Sequence, residues 1–101
     1  MKIGITGATG QLGRIVIDKL KKEIPPAGIR ALVRSPQKAT DLGVEALEFD
    51  YNRPETLAKA LNGIDTLLLI SSNEIGQRAR HHTNVIEAAK KSGVKWIVYT
   101  S

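Results

Sequence analysis

Gly7, Gly10 and Gly13 recur at intervals of three within GITGATGQLG, residues 4–13. Glycine lets a backbone turn tightly and come close to a partner that a side chain would hold off. The partner that suits bare backbone N–H groups is an anion, above all where a helix begins just after the turn and adds its dipole. Gly7 supplies the tight turn, Gly10 the close approach of a pyrophosphate and Gly13 the close packing of helix on strand, the pattern of a dinucleotide-binding loop. Thr9, Gln11 and Leu12 share that loop and the first helical turn.

A second group of residues selects the dinucleotide. Where the second strand of such a fold ends, a carboxylate bonds a ribose 2′-hydroxyl, whereas a basic residue accommodates a 2′-phosphate. In ALVRSPQKA, Arg34 stands at that place, Lys38 follows one turn later and no carboxylate is near. A guanidinium grips phosphate with two hydrogen bonds, so NADP(H) is expected over NAD. Asp50, at the end of the third strand, suits either of two roles: accepting a hydrogen bond from the adenine amino group, with Tyr51 against the ring edge, or shaping a turn. Ser71 and Ser72 end the fourth strand, at the carboxyl edge where ligands sit in such sheets, and would line the nicotinamide ribose. His81 and His82 are adjacent on a helical pattern and point in different directions, so no metal site is expected from them.

These residues need a scaffold, and its elements are legible in the hydrophobic periodicity. KIGIT at 2–6 reads as a strand, followed by a helix whose Leu12, Ile15, Val16, Leu20 and Ile24 recur at helical spacing before Pro25 and Pro26 stop it. Residues 29–33 form the second strand. Ser35 and Pro36 begin a helix that ends at Gly43, as an N-cap and a first-position proline. Residues 44–49 are the third strand, and a helix runs from about Pro54 to Asn62-Gly63. Residues 66–70 are apolar after Thr66, which implies burial on both faces. The longest helix begins near Gly76 or Gln77, ends at Ser92-Gly93 and turns Val85, Ile86, Ala88 and Ala89 to the core. Residues 95–100 are the last strand. This alternation predicts an α/β, Rossmann-type doubly wound parallel sheet of about five strands in the order 3-2-1-4-5, with helices on both faces, in one domain over residues 1–101.

Composition narrows the functional classes. The chain has 101 residues, 42% hydrophobic and 25% charged, with no cysteine. Disulfides and thiolate metal sites are thereby excluded, and a cytoplasmic setting is expected. No apolar run reaches membrane-spanning length. The net charge of +5 comes from 15 basic residues spread from Lys2 to Lys95, and there are only one Trp, two Tyr and one Phe. Neither a basic block nor a stacking platform is present, so nucleic acid is not an expected partner.

ITGATGQLG, LVRSPQKA, the FDY at 49–51 and LLLISSNEIGQRARHHTNVIEAAKKSGVKWIVYTS together resemble the NAD(P)H:quinone oxidoreductases of the atypical short-chain dehydrogenase/reductase group, relatives of the NmrA-like proteins. ISSNEIGQR carries more of that resemblance than the glycines. It implies hydride transfer from NADPH to a small-molecule quinone without flavin. It also implies that Gly7, Thr9, Gln11 and Leu12 hold the pyrophosphate, Arg34 the 2′-phosphate, Asp50 and Tyr51 the adenine side, and that Ser71 and Ser72 lie near the nicotinamide. Members of the group are nearly three times as long, so the chain is expected to be the cofactor-binding, N-terminal portion of such an architecture. The Tyr-x-x-x-Lys pair of short-chain dehydrogenases is absent: Glu55 stands four residues after Tyr51. No catalytic residue is assigned.

Three readings stay open at the level of sequence: the cofactor half of a quinone reductase, an NmrA-like NADP(H) redox sensor without catalysis, and a folded unit lacking a complete active site. The last strand, with WIVY at its centre, is expected to leave an apolar edge on which a homodimer forms.

Overall fold

Among the described residues, short β-branched and aliphatic runs form five parallel strands: β1 (Ile3–Thr6), β2 (Ile29–Val33), β3 (Glu45–Glu48), β4 (Thr66–Ile70) and β5 (Trp96–Thr100). They make one sheet in the order β3-β2-β1-β4-β5. The computed structural model describes residues 2–50, 52–70 and 78–100, and side chains for these except at 78–82 and 100. β1 lies at the centre, with Ile3 beside Ile29 on one flank and Thr66 on the other. The chain winds outward from β1 in both directions, so the strand order reverses between β1 and β4. In open parallel sheets that reversal is where a ligand crevice opens.

Among the described residues, three α-helices cover the sheet: α1 (Gln11–Glu23), α2 (Pro54–Leu61) and α3 (Arg78–Ser92). The start expected for α3 at Gly76 or Gln77 lies outside the described residues. Alternation along the strands feeds two cores. Leu32, Phe49 and Leu67 meet Leu57 and Leu61 of α2 and Val85 and Ala89 of α3. On the other face, Ile5, Ile29, Ala31 and Val33 meet Ile17 of α1.

Four expectations are corrected by packing. Pro36–Leu42 is a 3-10 helix rather than an α-helix, and Ser35 makes no side-chain cap. Its buried residues, Ala39 and Leu42, are three apart, which a spiral of about three residues per turn lines up against α1 and the sheet. β4 is not buried on both faces: Leu67 and Leu69 are buried beneath α2 and α3, whereas Leu68 and Ile70 are half-buried. Leu12 and Ile15 are exposed, because α1 faces the sheet through Gly13 and Ile17. Ile86 is exposed beside buried Val85, one residue further around α3.

Candidate cofactor-binding site

All five strands are parallel, so their carboxyl ends share one edge of the sheet, and the candidate binding residues gather there. β1 runs into Gly7, whose φ of 63° is left-handed and favours glycine. The amide of Gly10 donates to the Gly7 carbonyl at 3.0 Å, closing the turn, and the amide of Arg14 donates to the Gly10 carbonyl at 3.0 Å, opening α1. Gln11, Leu12 and Gly13 thus have amides with no acceptor inside the helix. Gly10 is the N-cap and offers no side-chain hydrogen bond, and no acidic residue lies in the first turn of α1. A helix start with free donors, a positive dipole end and neither cap nor carboxylate has the donor set that a pyrophosphate requires.

Gly13 holds this arrangement together. A Cβ there would lie 2.3 Å from the Gly7 carbonyl oxygen and 2.7 Å from the Ala8 Cα. Only glycine lets α1 come so close under its own loop, and Ala8, fully buried, seats the loop on the core. Gly7, Gly10, Gln11 and Leu12 are exposed above it, and Thr9 is half-buried.

Arg34 follows the last residue of β2 and is exposed, as is Lys38 in the 3-10 helix that comes next. The amide of Lys38 donates to the Ser35 carbonyl at 2.9 Å, which folds the segment back one turn beyond the strand. Asp50 is half-buried and organises the chain after β3. Its Oδ1 accepts the Asn52 amide at 3.0 Å, and its own amide donates to the Thr56 hydroxyl at 2.9 Å. The turn role expected for Asp50 is therefore present. Tyr51, Ser71 and Ser72 lie outside the described residues, as do the side chains of His81 and His82. Among the described residues, no cluster of three or more His, Cys, Asp or Glu is placed to hold a metal, and no helix is long and apolar enough to cross a membrane.

Two residues of this edge carry no sequence signal strong enough to single them out. Thr6, fully buried at the end of β1, bonds across to Ile70 of β4. Arg14 donates from Nε to the Thr9 carbonyl at 3.1 Å and from Nη1 to Asp41 Oδ2 at 2.7 Å. The Arg14 hydrogen bond holds the Asp41 carboxyl below its ordinary range. A basic residue at the positive end of a helix is the one hint the sequence offers for Arg14.

A doubly wound sheet with a glycine loop and an uncapped first helix defines a dinucleotide-binding domain, and residues 7–101 match the family described as NAD(P)H-binding, to which the chain belongs. Its relatives are more particular. The chain is 54% identical to quinone oxidoreductase 2 of Escherichia coli K12, over 98% of this chain and 36% of that protein. It is 38% identical to an NmrA-like family domain-containing oxidoreductase of Aspergillus flavus, over 100% of this chain and 35% of that one. Among solved structures, the Escherichia coli NADPH-dependent quinone oxidoreductase complexed with NADPH superposes with a TM-score of 0.94 at 54% identity, covering 98% of this chain and 36% of that one. A Citrobacter triphenylmethane reductase complexed with NADP(H) also reaches 0.94, at 46% identity over 99% of this chain and 37% of that one. The chain spans just over a third of the length of these relatives.

Proposed function

We propose that the chain is the NADPH-binding portion of an oxidoreductase that reduces quinones by hydride transfer without flavin. One observation carries the reading: the uncapped, acid-free start of α1, over the turn of Gly7, Gly10 and Gly13, opens on the same sheet edge as Arg34 and Lys38. The bound dinucleotide supplies the hydride. The chain's own residues bind and orient it: the amides of Gln11, Leu12 and Gly13 take the pyrophosphate, and Arg34 with Lys38 takes the 2′-phosphate. Asp50, which uses Oδ1 for its turn, offers Oδ2 to the adenine amino group, with Tyr51 beside the ring. Ser71 and Ser72 line the nicotinamide side. The quinone is assigned from the relative 54% identical to this chain, whose name states that activity. A cytosolic setting and a homodimer through β5 belong to the same reading.

Calorimetric titration with NADPH, NADH and 2′-phospho-ADP-ribose tests it. NADPH binds more tightly than NADH, and 2′-phospho-ADP-ribose alone competes. Arg34→Ala weakens NADPH by roughly thirtyfold, the loss of about 2 kcal/mol expected for a charge-assisted contact, and changes NADH little. Equal weakening of both nucleotides removes Arg34 from the assignment. Oxidation of NADPH by a simple quinone separates the enzyme from an NmrA-like sensor.

A further inference from the structure

We propose that Arg14 is a positioning residue that ties the pyrophosphate loop to the segment carrying Lys38, and so sets the preference for a 2′-phosphate over a 2′-hydroxyl. The inference rests on the cofactor reading above. One guanidinium serves two partners from different parts of the chain: the Thr9 carbonyl in the glycine loop and Asp41 in the 3-10 helix Pro36–Leu42. Its planar fork fixes both hydrogen bonds in one geometry, so the loop and the 3-10 helix cannot shift independently. A second tie lies further along α1, where Lys21 Nζ donates to the Leu42 carbonyl at 2.8 Å. The same 3-10 helix buries Ala39 and Leu42. The 3-10 helix is therefore gripped against α1 at two points, and the one nearer the phosphate loop is Arg14.

Arg14 and Asp41 meet in a single contact of 2.7 Å. The partners remain open to solvent, at 38% and 65% side-chain exposure. An exposed ion pair of this kind contributes little to folding. A role in stability alone thus leaves cofactor selectivity untouched, and a positioning role changes it.

The test compares Arg14→Ala, Arg14→Lys, Asp41→Asn and the double variant Arg14→Ala/Asp41→Asn in the 101-residue chain, each checked for folding by circular dichroism. Calorimetry then gives the affinity for NADPH and for NADH. Arg14→Ala and Asp41→Asn are each expected to lower the NADPH-to-NADH affinity ratio by roughly fivefold, the size of a well-formed exposed ion pair. The double variant is no worse than the singles, because both act through one tie. Arg14→Lys, which keeps the charge without the fork, falls between wild type and Arg14→Ala. A tighter NADPH complex in Asp41→Asn would make Arg14 a direct phosphate ligand and overturn the proposal. Unchanged ratios in a wild type that prefers NADPH would overturn it while leaving the cofactor reading intact. A wild type that binds neither nucleotide removes both.

Discussion

The Thr6 hydroxyl accepts the Ile70 amide at 2.8 Å and donates to the Ile70 carbonyl at 3.3 Å. Backbone pairing between β1 and β4 runs only from Ile3 beside Thr66 to Ile5 beside Leu68. Beyond it, β1 turns away through Gly7, and the two strands part at the crevice. A side chain thus takes over both polar groups of Ile70 at the point where the ladder ends, and the crevice opens without leaving them unpaired.

Replacing Thr6 by Val keeps the shape and removes both bonds. With Thr6 fully buried, the amide and carbonyl of Ile70 lose partners that water does not readily replace, and the expected loss is about 1–3 kcal/mol. Thr6→Ser retains the hydroxyl and restores most of it. Urea midpoints of the three proteins report the difference, and coincident midpoints would show that the staple contributes nothing.

Gly13 and Gly10 separate two kinds of glycine. The Cβ of Gly13→Ala meets backbone atoms at 2.3 and 2.7 Å, so α1 must back away from its loop. The cost is about 1–3 kcal/mol of stability, and nucleotide binding goes with it. A Cβ at Gly10 meets only the Gly7 oxygen, at 3.3 Å, in a backbone conformation that alanine adopts. Gly10→Ala is therefore expected to melt close to wild type and yet bind NADPH poorly. Thermal unfolding paired with calorimetry distinguishes the two, and normal binding by Gly10→Ala would mean that the phosphates do not approach there.

What could be read from sequence was local. Gly43, Gly63 and Gly93 were expected where helical patterns stop, and all three have left-handed φ, at 73°, 83° and 82°. Gly7 and Gly13 were legible because the turn needs a left-handed backbone at the first and the helix packed on its own loop leaves no room for a Cβ at the second. The Arg14–Asp41 pair spans 27 residues and the Thr6–Ile70 staple 64. Such partners meet only after the sheet forms, and no periodicity announces them. The 3-10 form of Pro36–Leu42 escaped for the same reason, since packing of Ala39 and Leu42 selects it over an α-helix. The half-burial of Leu68 and Ile70 likewise depends on which neighbours cover each face.

Arg30 and Glu45 make acid stability a further test. Arg30, buried within β2, donates to Glu45 at 2.6 Å and to the carbonyls of Ala60 and Asn62 at 2.8 and 2.6 Å, closing the end of α2. The Arg30 hydrogen bond, with Lys2 adding to it, holds the Glu45 carboxyl below its usual value of 4.5 despite some desolvation. The folded state therefore binds this proton less readily than the unfolded one. Its contribution is complete above pH 4.5 and disappears as the pH falls through the lowered folded value. The Glu45 side chain is 45% exposed, and screening keeps the effect to about 0.5 kcal/mol. Glu45→Gln should start less stable at neutral pH and lose less on acidification. Urea midpoints at neutral pH and near pH 3 check it, and parallel pH profiles for the two proteins would exclude the contribution.

The two edges of the sheet differ in how they meet solvent. β3 carries Glu45 and Glu48, charges that discourage another strand from pairing. β5 pairs with β4 along its whole length and, among the described residues, with no other strand. Trp96, Ile97, Val98 and Tyr99 are 66%, 38%, 50% and 50% exposed, so both faces of β5 as well as its edge are apolar and open. An edge of this kind is a template for a second strand. The chain is expected to self-associate through β5, with a sedimentation coefficient that rises with protein concentration. A lysine at one exposed position interrupts such pairing without touching a buried core, so Val98→Lys should sediment as a monomer and keep the wild-type circular dichroism spectrum. Wild-type protein that stays monomeric at high concentration would refute an adhesive edge, and association that persists in Val98→Lys would move the contact away from β5.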